Sequence, residues 1–199
     1  HPSGQKPILK PFTQEQAQRL LTVCKDYPDT TVAAFVTIGL LLGMRRGEIL
    51  GLRLQDIDWE EGCLSIQQAL NQNYLPTVDG GWMTELATST PKTKHSRREL
   101  SMPTSVRTAV LRLLSTRDAQ RQLAGDDWIE QGLLFCTVIG KPLWPSNLTK
   151  RYQRLLATAD VPRLSIHALR HTFATICFLN EIPAEQVQTA AGHSSIRTT

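Results

Sequence analysis

Long apolar runs are missing from this 199-residue sequence: none approaches the ~20 residues that a bilayer-spanning helix needs. The first residues also lack the basic-then-apolar order of a secretory signal. No membrane partner is therefore expected, and a reducing, cytoplasmic compartment is the expectation. Cysteine is sparse, and Cys24, Cys63, Cys136 and Cys177 are scattered without the paired spacing of a metal site. Each has apolar neighbours, so all four read as buried thiols. Internal repeats and low-complexity tracts are absent as well.

What is present is a composition that folds. Hydrophobic residues make up 41% and charged ones 20%, and the length suits one large or two small domains. Lys and Arg exceed Asp and Glu by 22 to 18, a mild bias toward anionic partners that fits nucleic acid and also many ordinary enzymes.

Residues 1–11, rich in Pro, Gly and Lys, read as a linker from something upstream. Thr13 with Gln16 forms a capping box, followed by the helical stripe Ala17, Leu20, Leu21 and Cys24. Thr31 to Leu42 is apolar nearly all round, which predicts a central helix stopped by Gly43. In GMRRGEILGLRLQDIDW, Arg45 and Glu48 stand three apart at the start of a further helical face. The strand-like CLSIQQAL and RRELSMP are expected to pair as a hairpin, with Asn71 to Thr90 as a long connection, a functional flap or an insertion. Helices follow from Thr104 and from Pro145, separated by the polar stretch Arg121 to Asp127, the apolar run Leu133 to Cys136 and a turn at Ile139 to Pro142. Beyond them Pro183 restarts a helix that Gly192 stops, with His193 just past the stop.

The stretch SIHALRHTFATICF carries the sharpest chemical signal. Ile166, Leu169, Phe173, Ile176 and Cys177 form one apolar helical stripe, and His167 and Arg170 share a neighbouring face. An imidazole beside a guanidinium suits work on a phosphodiester, although the same spacing also serves a solvated face or a structural pair. Arg45, the cationic TPKTKHSRREL and His193 widen the set: two guanidiniums, an imidazole donor and a lysine offset the charge that develops when a phosphodiester is cleaved. His171 with His193 invites a zinc reading, but no acidic or thiol ligand is near, and His171 reads better as a buried structural histidine. No metal site is expected.

GMRRGEIL, then PKTKHSRRELSMP, then HALRHTFAT, then AAGHSSIRTT resemble, in order, the catalytic domain of the tyrosine recombinases, in particular the phage and conjugative-transposon integrases. The resemblance runs from about Phe12 to the last residue, making 12–199 the expected catalytic domain. It implies a mainly α fold with a small antiparallel β-sheet or hairpin, an α+β architecture of the DNA breaking-rejoining type. It implies that Arg45 and Arg170 clamp the scissile phosphate and that His167 bonds it and assists proton transfer. Lys92, with Lys94 as the competing assignment, is implied to protonate the leaving 5′ oxygen, His193 to donate to a non-bridging oxygen, and Glu48 to orient its neighbours. Arg97, Arg98, Lys141, Lys150 and Arg151 are candidate contacts to the DNA backbone.

The family's nucleophilic tyrosine, by this resemblance, belongs just past Thr199. Tyr27, Tyr74 and Tyr152 lie in other contexts, and Tyr152 suits a helix core. The chain as given is therefore expected to be cleavage-inactive, truncated before its nucleophile and without the family's amino-terminal DNA-binding domains. The resemblance implies strand exchange on double-stranded DNA with no metal or other cofactor, as a tetramer in the full-length protein; a monomer is expected for this piece. A type IB topoisomerase uses nearly the same residues, and a non-catalytic DNA-binding relative is the alternative from another class.

Overall fold

Thirteen consecutive residues of almost unbroken apolar character form helix α2 (Thr30–Leu42), and the rest of the fold is wrapped round it. In this computed structural model, which describes residues 11–89 and 98–183, α2 is buried on nearly every side, and Val32, Ala34, Phe35, Val36 and Ile38 are closed to solvent. Such a helix has no polar face to offer water, so other helices must cover it all round. Helix α1 (Gln14–Asp26), α4 (Thr104–Ala124), α5 (Pro145–Thr158) and α6 (His167–Leu179) do so. The stripes of α1, α4 and α5 are the ones expected from the sequence; on α6 Leu169 and Cys177 are buried as expected, but Phe173 and Ile176 are only half-buried, and Ala168 and Thr172 are closed to solvent instead. The Thr13 capping box is formed, with the Gln16 N–H on Thr13 Oγ1 at 3.2 Å and the Thr13 N–H on Gln16 Oε1 at 3.0 Å. Helix α4 runs on through Arg121 to Ala124, where the polar stretch was expected to begin, and Gly125 ends it with a positive φ.

Sheet structure is confined to two small antiparallel units. Strands β1 (Ile57–Asp58), β2 (Cys63–Ile66) and β5 (Arg98–Ser101) form one sheet in the order β1-β2-β5, with Leu64 opposite Leu100 and Ile66 opposite Arg98. Strands β3 (Ala69–Pro76) and β4 (Trp82–Ser89) form the other, a long hairpin closed by the Thr77–Gly81 turn. The expected pairing of CLSI with RELS is present, but no simple turn joins the two strands. At Gln67 the first strand stops, the Gln68 amide turns to donate to the Gly51 carbonyl at 2.9 Å, and the insertion that follows is itself a hairpin. The run Leu133–Cys136 is buried and makes only isolated bridges, Arg53 to Leu133 and Cys136 to Pro142.

The buried tyrosine and cysteines bear on the chemistry. Tyr152 is fully buried on α5, with burial and the neighbouring Cys24 driving its hydroxyl pKa well up, so it is a core residue, as expected. Cys24, Cys136 and Cys177 are buried, and burial pushes the Cys24 thiol up to about 12; Cys63, at the start of β2, departs from expectation in being half-exposed. Among the described residues no helix is long and apolar enough to cross a membrane.

Candidate active site

Gly43 ends α2 in the left-handed region at φ 61°, and the Phe173 ring of α6 fills the space a side chain would need there. The turn sends Met44 into the core and leaves Arg45 extended, as the residue that opens the short helix α3 (Arg46–Leu50). Arg170, one turn before Phe173 on α6, donates from Nη1 to the Gly43 carbonyl at 2.7 Å. One tight turn therefore brings the two arginines, 125 positions apart in the chain, to the same place.

Glu48 organises the charges. It is 3% exposed, and its carboxylate accepts from the Arg45 backbone N–H and from Arg45 Nη1, both at 2.8 Å. The fork of Arg98 reaches it from β5, Nη2 at 3.0 Å to one oxygen and Nη1 at 3.3 Å to the other. Burial alone would raise the pKa of Glu48, but the hydrogen bonds and charge of Arg98, with the bonds from Arg45, outweigh it and hold the carboxyl below its usual range. Arg170 is pushed down to about 10, first by burial and then by the charge of Arg45, with Glu48 acting in the opposite sense. It remains a cation at neutral pH. Three guanidiniums around one carboxylate leave an excess of positive charge that an anion can satisfy.

His167 stands at the first position of α6, open to solvent on one side. Its pKa is lowered by partial burial, then by the charges of Arg46, His171 and Arg170, so the ring is neutral near pH 7 and can donate one proton while accepting at its other nitrogen. Arg45, Arg46, His167 and Arg170 line one narrow crevice, and the first three also line the adjoining cleft of about 460 Å³. Strand β3 supplies the opposite wall through Asn71, Gln72 and Tyr74, and Gln72 Nε2 lies 3.3 Å from the Tyr74 hydroxyl. It can lie so close to α3 because Gly47 has no side chain: a Cβ there would sit 2.8 Å from the Leu70 carbonyl oxygen.

The structure thus gathers Arg45, Glu48, His167 and Arg170 from two distant stretches of the chain. Lys92, Lys94, Arg97 and His193 lie outside the described residues. Among the expected DNA contacts, Lys141 and Lys150 are exposed, whereas Arg151 is ion-paired with Asp29 across the α2–α5 contact. Arg98 is a correction: its side chain is 5% exposed and bound to Glu48, so it is not a surface contact to a phosphate backbone. The signal was its phase, since Arg98 alternates with Leu100 on the inward side of β5. His171, expected to be buried, is exposed because it falls opposite the Leu169 face of α6. Arg46 and the β3 wall were not singled out in the sequence, and their contribution arises only from contact between α3, α6 and β3.

Residues 10–199 match the phage integrase family. A tyrosine recombinase XerC-like protein of Caldanaerobacter subterraneus subsp. tengcongensis is 32% identical over 197 residues, covering 96% of this chain and 49% of that protein. The transposase from transposon Tn916 of Enterococcus faecalis is 28% identical over 94% of this chain and 46% of its own length. The chain spans about half the length of the curated relatives it matches. In fold it is similar to the Tn1549 transposon integrase solved with circular intermediate DNA, at TM-score 0.74 and 24% identity, covering 98% of this chain and 62% of that one. The XerA recombinase is similar as well, at TM-score 0.69 and 21% identity over all of this chain and 58% of its own.

Proposed function

Because the chain belongs to the phage integrase family, we propose that it is the phosphate-handling part of a site-specific DNA recombinase that works through a 3′-phosphotyrosyl intermediate. The observation that carries this reading is the cluster of Arg45, Arg98 and Arg170 round the buried Glu48, with His167 beside it at the edge of an open cleft.

A phosphodiester held there would have its non-bridging oxygens against Arg45 and Arg170. As a tyrosine hydroxyl of the whole protein attacks phosphorus, negative charge grows on those oxygens, and guanidiniums already fixed in place stabilise it without reorganising. The P–O5′ bond breaks, the 5′ oxygen takes a proton and the phosphate stays on the tyrosine. The bond energy is retained, so a partner strand's 5′ hydroxyl can reverse the step without a high-energy cofactor. Neutral His167 can donate to a phosphate oxygen or pass on the tyrosine proton. Lys92 or Lys94 is proposed as the acid for the leaving oxygen, and His193 as a further donor. Glu48 holds Arg45 in place. Lys141 and Lys150 are proposed contacts to flanking phosphates, which makes duplex affinity fall steeply with salt.

Double-stranded DNA in the cytoplasm is the proposed substrate, with four copies acting on two duplexes. The relatives named recombinase, integrase and transposase favour strand exchange over a topoisomerase. The test is covalent capture on a nicked duplex carrying the target junction, using a polypeptide that contains this chain together with its tyrosine-bearing segment. A covalent complex that passes its strand to a partner duplex is expected, and Arg45→Ala or Arg170→Ala should abolish it. Relaxation of supercoils without joining to a partner would instead identify a topoisomerase.

A further inference from the structure

We propose that Arg98 is a positioning residue for the phosphate site: through Glu48 it holds Arg45 at the mouth of the cleft. The inference rests on the reading that Arg45 binds a DNA phosphate, and it assigns Arg98 a role other than touching DNA itself.

Arg45 needs such support. Its side chain is 42% exposed, and a long cationic side chain at a cleft mouth otherwise samples many rotamers. Glu48 restrains it at both ends, one oxygen on the Arg45 backbone N–H and the other on Nη1. A lone carboxylate that accepts two bonds from one residue can still swing with it. The fork of Arg98 prevents this, because its two terminal nitrogens each reach a different oxygen of Glu48 and so fix the plane of the carboxylate. Arg98 is held in turn by β5, where it pairs with Ile66 and points inward in phase with Leu100. Support therefore runs from a rigid strand through a buried ion pair to an exposed guanidinium, as a binding site requires.

The charges that face Glu48 come from three places: Arg45 at the head of α3, Arg98 on β5 and Arg170 on α6. Lysine at position 98 would supply the charge of the second without its fork, and so could not set the carboxylate plane.

A double-mutant cycle on a fluorescent 30-base-pair duplex tests the proposal with the chain itself. Arg45→Ala is expected to weaken binding about tenfold and to lower the salt slope by about one. Arg98→Met should weaken it by a similar factor, and in the Arg45→Ala background it should add nothing, because the residue it positions has gone. Arg98→Lys, which spares the charge and guards against a misfolded Arg98→Met, should recover only part of the affinity.

Independent, multiplying losses, with the salt slope falling by about two in the double variant, would make Arg98 a phosphate contact in its own right and overturn the proposal. Full affinity in Arg98→Lys would overturn it too, by showing that charge alone suffices. If Arg45→Ala binds as well as the parent chain, the phosphate reading fails instead, so the two failures are distinguishable.

Discussion

Glu48 shows how one residue can serve both stability and chemistry. Removing it as Glu48→Ala would leave the Arg98 guanidinium, 5% exposed, without its buried carboxylate, a loss of about 3–5 kcal/mol that urea unfolding would reveal. The pH dependence has a definite sign. Its folded pKa lies below the ordinary 4.5, so its stabilisation is present above that pH and fades as pH falls toward the folded value. For His167 the folded pKa lies below 6.5, chiefly through burial and then through Arg46. The unfolded chain takes the proton first, so His167 favours folding above pH 6.5 and costs stability as pH falls below it. NMR titration of the ring should therefore give a midpoint under 6.5 in the free protein. Adding duplex should raise it, because a phosphate offsets the nearby cations; a midpoint unmoved by saturating duplex would separate His167 from the phosphate. Neither environment could be read from residue types alone, since the Arg98 fork and the Arg46 charge arrive from other elements.

At the level of elements, the α2–α3 turn decides whether a site exists at all. Gly43→Ala would force a Cβ into a left-handed residue and into the Phe173 ring, with backbone strain alone costing about 1–3 kcal/mol. Equilibrium unfolding of Gly43→Ala with and without Phe173→Ala would separate the two causes: the second change relieves the clash and leaves the strain. Duplex affinity should fall with the first variant, because the Gly43 carbonyl is what Arg170 grips. The helices themselves were legible because each carries a local signal: the capping box at Thr13, the uniform apolarity of α2, Pro145 at the first turn of α5. The β3–β4 hairpin was not. Leu70 is buried at its root, but beyond it Asn71 and Asn73 on one side and Gln72 and Tyr74 on the other leave no apolar face, and without one to bury, alternation disappears from the sequence.

For the molecule as a whole, the helical core is what lets distant segments converge. Phe35 on α2 is closed to solvent and meets Phe135 edge-on at 6.2 Å, in the middle of the packing that sets α2 against its neighbours. Phe35→Ala should cost about 3–5 kcal/mol, lowering the melting temperature by about 6–20 °C on the usual ~2–4 °C per kcal/mol for a chain of this size, with calorimetry as the check. A smaller loss would mean that the core closes round the cavity.

The order of helices, the apolar centre, the family and the positions of Arg45, Glu48, His167 and Arg170 were determined by the sequence alone, because helix signals are local and the four motifs stand in a recognisable order. Tertiary structure alone decided that these residues share a cleft, that Arg98, whose inward phase on β5 was legible, meets Glu48 there, and that β3 walls the site. The physical reason is distance along the chain. A hydrogen bond between residues 50 positions apart, or 127 in the case of Arg170 and Gly43, leaves no periodicity to read and exists only once the helices have packed.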